Sequence, residues 1–180
     1  MKLTLELMPS TAWLHSLHTY LTTKAWSTLR KKVLEEYNFS CGICGVTTGQ
    51  LNCNEQWEYD DETNTQRLVR LVMLCQMCHL TAHMMERGSI THDVLAEHFV
   101  RVNGCSRQEF EAYYQQCCEE QTRREIRDDG GPVLWEQDWG EYTSLLAQEG
   151  SLKQGYQWEN GYIVSIGSRK RLRKLRSHTD

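Results

Sequence analysis

Four of the eight cysteines form two identically spaced pairs, Cys41-x-x-Cys44 and Cys75-x-x-Cys78. One C-x-x-C turn brings two thiolates to an ion, and two such turns complete the tetrahedral shell of a structural Zn2+. A redox dithiol fits poorly, because each pair is matched by the other; four buried free thiols are the plainer alternative. Behind the second pair stand His79 and His83, on a segment from Met77 to Met84 that reads as a short helix. Their spacing of four projects both imidazoles from one side. There they can hold a second ion, pack, or bond to the cysteine thiolates. Cys105, Cys117 and Cys118 have no such spacing and read as small core residues.

The elements that must position these groups are legible in part. Residues 1–22 read as a short strand followed by a polar and aromatic stretch. Thr22 or Thr23 caps a helix running to about Tyr37, with Trp26, Leu29, Val33, Leu34 and Tyr37 on one face and Arg30, Lys31 and Lys32 on the other. The basic face is either solvated or an edge for phosphates beside the metal site. The interval between the cysteine pairs is too long for a simple finger loop and must hold structure of its own. It contains a strand-like run from Leu51 to Tyr59, an acidic turn at Asp60-Asp61-Glu62, and an apolar run, Leu68 to Leu74, leading into Cys75. Trp57 and Tyr59 alternate with Glu58 and Asp60 and build the hydrophobic underside of the strand. Two helices are expected over 90–125, separated by the stop Asn103-Gly104 and the capping box Ser106-x-x-Glu109. After Gly130-Gly131-Pro132, the residues Trp135, Trp139, Tyr142, Leu145 and Leu146 suggest a short element packing back on the core. Tyr156 to Ile166 alternates like a hairpin about an Asn160-Gly161 type I′ turn.

Composition bounds the function. The chain has 180 residues, a net charge of −4 and 39% hydrophobic residues. No apolar run approaches the roughly 18 residues that cross a bilayer, and the first seven residues do not resemble the apolar core of a secretory signal. A reduced, cytoplasmic protein is expected, with no membrane partner. The charge is divided: residues 1–150 hold 13 Lys+Arg against 22 Asp+Glu, whereas residues 151–180 hold 7 against 2. Arg169, Lys170, Arg171, Arg173, Lys174 and Arg176 crowd into the tail. Such a run contacts nucleic-acid phosphates, docks on an acidic partner, or is simply solvated. The expected division is a body over 1–150 and an added hairpin with basic tail over 151–180. Oligomeric state is not legible.

Several segments, in this order, resemble a zinc-containing HNH endonuclease family of bacteria and their phages. They are Trp26-x-x-Leu29-Arg30, Cys41-Gly42-Ile43-Cys44-Gly45, the run Leu51-Asn52-Cys53-Asn54-Glu55-Gln56-Trp57-Glu58-Tyr59-Asp60, and Leu74-Cys75-Gln76-Met77-Cys78-His79-x3-His83. The likeness extends weakly through His98-Phe99 and from Trp135 to Leu146, and so spans roughly residues 1–150. It implies an α+β fold: a small ββα-metal motif with a four-cysteine zinc knuckle, flanked by helices, with the C-terminal hairpin and basic tail added. Cys41, Cys44, Cys75 and Cys78 match the knuckles. His79 and His83 match helix histidines that bind the catalytic ion, which would be Mg2+, Mn2+, Ni2+ or Zn2+. Cys53 matches a strand position that is often an acidic or histidine ligand, or is a strand thiol facing the core; as a ligand it would make, with the two imidazoles, a soft set that favours Zn2+ over Mg2+. Asn54 stands where the family has its general-base histidine, and the middle Asn of the HNH name has no clear match, Arg70 lying near that point.

The implied activity is metal-dependent hydrolysis of DNA, with Asn54, His79 and His83 at its centre. Such hydrolysis needs an ion to stabilise charge on the phosphate and a base to deprotonate water. An asparagine amide orients water but does not take its proton at neutral pH. Glu55 is adjacent, yet successive strand residues face opposite ways, so a bulge would be needed for it to substitute. Asp60-Asp61-Glu62 offers other carboxylates. Two further readings stand beside the enzyme. One is a nuclease-like binder of nucleic acid that has lost cleavage, with Arg30, Lys31, Lys32 and the tail as its contacts. The other is a phage-encoded modulator that engages a protein partner through the acidic body.

Overall fold

The computed structural model describes residues 1–12, 15–85, 92–126 and 130–166. Leu3, Leu5 and Leu7 are buried in alternation, as a strand's would be, yet the segment joins no sheet. Its backbone is satisfied by side chains and a helix end instead. Lys2 N and Leu3 N donate to Asn103 Oδ1 at 2.8 and 3.0 Å, Leu5 N to the Tyr113 hydroxyl at 3.1 Å, and Glu6 N to Ala82 O at 2.8 Å. The expected first strand is therefore an extended strap, because its partners are polar side chains rather than a neighbouring strand.

A single-turn helix α1 (Leu17–Tyr20) leads to α2 (Thr23–Glu36), which is capped by the Thr22 hydroxyl accepting from Ala25 N. Val33 is buried, and Trp26, Leu29, Leu34 and Tyr37 pack on the core from the expected face. The interval between the cysteine pairs is filled by a hairpin. Strand β1 (Leu51–Asp60) pairs antiparallel with β2 (Thr65–Cys75), from Leu51 opposite Cys75 to Asp60 opposite Thr65, with the register slipping between Gln56 and Trp57. Leu71 to Cys75 are all buried, enclosed where α2 and the following helix meet the strand. That helix, α3 (Gln76–Ala82), starts without a loop: Cys75 is both the last strand residue and the N-cap.

Helices α4 (His92–Asn103) and α5 (Arg107–Glu125) follow, and the Ser106–Glu109 capping box forms as expected. Strand β3 (Glu136–Asp138) adds to β2 in parallel, giving the order β1-β2-β3. Gly140 then turns the chain over β2 at a φ of +54°, where a Cβ would lie 2.5 Å from Leu68 O. After α6 (Thr143–Ala147), strands β4 (Tyr156–Glu159) and β5 (Tyr162–Ser165) make the second hairpin. Asn160 and Gly161 both have positive φ, as a type I′ turn requires. This hairpin packs on the common core through Ile163, Tyr156 and Trp158. Lys153 ties it to α1, its Nζ donating to His18 O and Thr19 O at 2.8 and 2.9 Å. The architecture is thus mixed α+β with small sheets and a four-cysteine cluster. The tail cations Arg169, Lys170, Arg171, Arg173, Lys174 and Arg176 lie outside the described residues.

Candidate metal centre and adjoining cavity

The first knuckle is shaped by its backbone. Gly45 N donates to Cys41 O at 2.9 Å, Cys41 N to Val46 O at 2.9 Å, and Gly42 N to Met73 O at 2.7 Å, which stitches the turn to β2. Gly42 is required there, since a Cβ would run into the Tyr37 ring. The second pair comes from the β2–α3 junction, where Cys75 Sγ accepts from Cys78 N at 3.4 Å. The sulfurs of Cys41, Cys44, Cys75 and Cys78 all lie within 4.8 Å of one another, and Cys44 Sγ is 3.7 Å from Cys75 Sγ. Zn–S bonds of about 2.3 Å in a tetrahedron set sulfurs roughly 3.8 Å apart, so the cluster is close enough to bind a metal ion and is consistent with structural zinc. Its electrostatics agree. The Cys41 thiol is pushed down by the Cys78 thiol donating to it, against the cost of burial and with help from backbone N–H groups. The Cys78 thiol is pushed up by that same bond and by burial, and Cys75 by burial and the Cys41 charge. The Cys41 anion forms easily while Cys75 and Cys78 resist, a state that a divalent cation relieves.

Helix α4 adds an outer layer. His98 is buried, its Nε2 3.2 Å from Cys78 Sγ and its Nδ1 2.8 Å from an Arg101 guanidinium nitrogen. A guanidinium only donates, so Nδ1 accepts and Nε2 carries the proton that Cys78 sulfur receives. Burial first, then the Arg101 charge, pull the His98 pKa down and keep the ring neutral.

The β1–β2–α3 unit also borders a cavity of about 540 Å³ lined by His79 and His83 of α3, Cys53, Asn54, Glu55 and Trp57 of β1, and Glu6, His15 and His18 of the N-terminal region. The His79 and His83 rings meet edge to face, with centroids 4.8 Å apart. Asn54 is buried at 6% exposure; its Oδ1 lies 2.8 Å from His83 Nε2, and its Nδ2 contacts Glu6 Oε1 at 2.5 Å and Glu55 O at 3.3 Å. Glu6 Oε2 is 3.6 Å from His83 Nε2.

Cys53 lines this cavity, but burial pushes its thiol up to about 12, with Glu55 adding to the effect and Arg30 opposing it. Among the described residues, the four cysteines are the side-chain group that converges as a metal cluster; Cys53, His79 and His83 share a wall without forming such a cluster. Glu55 is occupied structurally. Its Oε1 accepts from Leu17 N at 2.7 Å and anchors the start of α1, and burial raises its carboxyl to about 8. The register slip falls just past it rather than at it.

The expected basic contacts separate into two kinds. Arg30 donates to Leu51 O at 2.8 Å and joins α2 to β1. Lys31 and Lys32 are exposed and pair with Glu35 and Glu36 one helical turn on. Arg70 donates to Gln56 Oε1 across the hairpin at 2.7 Å. In the acidic turn, Asp60 Oδ1 accepts from Glu62 N and Thr63 N and closes the turn. Of the three unpaired-motif cysteines, Cys117 is buried and Cys105 and Cys118 are half-buried.

Sequence reasoning missed Glu6 and the His98–Arg101 pair. Glu6 sits out of phase with the buried leucines, a hint only that it points elsewhere. His98 and Arg101 are three apart on a helix, a spacing that signals contact between them and nothing about a distant sulfur. Comparison with protein-family models, with curated proteins and with solved structures finds no match.

Proposed function

We propose that the chain is an HNH-type, metal-dependent endonuclease acting on DNA, in which β1, β2 and α3 serve as the ββα-metal motif and the four cysteines hold a structural Zn2+ that braces it. The observation that carries this reading is the cavity beside the hairpin and helix, where Asn54 faces His83 beside His79, with the cysteine cluster gathered at the β2–α3 junction of the same unit. His79 and His83 are the imidazole donors for a catalytic ion; among the described residues Cys53 does not converge with them as a cluster. Two imidazoles suit Zn2+ or Ni2+ better than Mg2+. When bound, the ion supplies charge stabilisation to the phosphoryl oxygens. The chain's own residues orient the water and hold the substrate strand. Asn54 contributes no proton acceptor, so cleavage is slow, by roughly 10²–10⁴-fold relative to an enzyme with a histidine base.

Phosphate contacts fall to Lys31 and Lys32, and to the tail cations Arg169, Lys170, Arg171, Arg173, Lys174 and Arg176. A second reading is favoured by one observation: Asn54 is buried in bonds to Glu6 and His83 rather than facing solvent. On that reading the protein binds nucleic acid without cutting it.

Nicking of supercoiled plasmid with Mg2+, Mn2+, Ni2+ and Zn2+ tests the proposal. The expected result is slow nicking by the native chain, none by His79→Ala, and faster nicking by Asn54→His. Nicking by Asn54→His alone establishes the binder, and nicking by neither defeats the enzyme reading. Removal of 168–180 should lower the salt dependence of DNA affinity; an unchanged slope removes the tail as a contact.

A further inference from the structure

We infer that Glu6 and Asn54 lock His83 as its Nε2–H tautomer, which puts the lone pair of the neutral ring on Nδ1. The oxygen and nitrogen of an asparagine amide are alike in shape, and which is which follows from their partners. One end of the Asn54 amide faces two oxygens that only accept, Glu6 Oε1 and the backbone carbonyl of Glu55 at 3.3 Å. Turning the amide over would set its oxygen against both. That end is therefore Nδ2, and the atom 2.8 Å from His83 Nε2 is Oδ1. Since Oδ1 only accepts, Nε2 carries the proton and donates it. Glu6 Oε2, 3.6 Å from the same nitrogen, adds negative potential where that proton sits.

The relay is well sheltered: Asn54 is 6% exposed, and the side chains of His83 and Glu6 are 13% and 17% exposed. In such surroundings hydrogen bonds are stronger than in water, and a wrong pairing costs more. A neutral imidazole with Nε2 protonated has its lone pair on Nδ1. Imidazoles that hold metals commonly donate their other N–H to an oxygen behind them, which sets ring orientation and basicity. Glu6 and Asn54 are then positioning residues, and Asn54, though it supplies no base, orients the His83 ring. The tautomer stands on geometry alone; its bearing on catalysis rests on the endonuclease reading.

Proton–nitrogen correlation spectra of the histidine rings, recorded on the zinc-loaded full chain at a pH where the rings are neutral, test the inference directly. The His83 signals are assigned by their loss in His83→Gln. The native protein should show a single His83 tautomer with a slowly exchanging Nε2 proton and a preference of about tenfold or more, the size expected of a sheltered bond in a charged network. Glu6→Gln removes one of the two acceptors that fix the Asn54 amide and leaves the Glu55 carbonyl, so the Nε2–H preference should fall and a minor Nδ1–H form should appear. Asn54→Leu, which keeps bulk without an acceptor, should lose the protected proton. An Nδ1–H tautomer in the native chain overturns the inference, as do spectra that neither variant changes. Plasmid cleavage does not enter this readout, so the inference and the endonuclease reading fail independently.

Discussion

Glu55→Gln tests how the β1 strand holds α1, and its consequence depends on pH in a calculable way. Burial raises the Glu55 carboxyl from 4.5 to about 8, while the Leu17 N–H that it accepts partly opposes the rise. For an acid whose pKa is higher in the folded than in the unfolded state, folding binds a proton in the window between the two values. Stability contributed by the protonated form is therefore fully present below pH 4.5, falls as pH rises to about 8, and is level above that. Each pH step in the window removes about 1.4 kcal/mol, so the whole window amounts to about 5 kcal/mol as an upper figure. Glu55 as a residue is partly open to the cavity, and screening there should reduce the effect to about half. Glutamine keeps an oxygen for Leu17 N and cannot ionise. Urea unfolding followed by tryptophan fluorescence, at about pH 5 and about pH 8.5 with zinc present, gives the difference between the two proteins. Both carry the same cysteine cluster, so acid release of zinc cancels in the comparison. The variant should match the native chain in acid and exceed it by about 2–3 kcal/mol in alkali. Parallel pH profiles, or a variant weaker at the alkaline end, would refute the assignment of a buried, protonated Glu55.

Three further outcomes follow from the zinc centre and the sheet. Metal analysis should return about one zinc per chain from the cysteine cluster, and chelation should unfold the β2–α3 junction, seen as loss of helical circular dichroism; retention of the full fold without metal would contradict a bracing role. His98→Phe removes the N–H that Cys78 sulfur receives and should weaken zinc binding about 10- to 100-fold in competition with a chromophoric chelator; unchanged affinity would make His98 mere packing. Gly140→Ala forces a Cβ to 2.5 Å from Leu68 O at a left-handed φ and should cost about 1–3 kcal/mol in urea unfolding; a neutral result would mean that this crossing over β2 relaxes freely.

What was legible in the sequence divides by the range of the interaction. The Thr22 cap, the Ser106–Glu109 box and the Asn160-Gly161 turn were readable because each is a bond between residues no more than a few positions apart. The two C-x-x-C pairs were readable because the metal itself specifies the distant partner. The opening segment misled, since alternating burial of Leu3, Leu5 and Leu7 looks the same whether the backbone pairs with a strand or with Asn103 and Tyr113. Arg30, grouped with two lysines by composition, turned inward to a strand carbonyl that only the folded chain brings near.

The cavity shows the same division at closer range. His79 and His83 were recognisable as a pair from their helical spacing, and Cys53, Asn54 and Glu55 from a strand running beside them. The sequence by itself therefore determined the four-cysteine cluster, the helix that presents the histidines and the asparagine opposite them. Only the tertiary structure decided that Glu6, 48 residues from Asn54, completes the hydrogen-bonded set, and that His98 backs Cys78 from another helix. It also decided that Glu55 is spent on anchoring α1 and that burial pushes the Cys53 thiol up. The reason is physical: spacing fixes which local groups can share a face, whereas protonation and orientation are set by desolvation and by partners that arrive from distant parts of the chain.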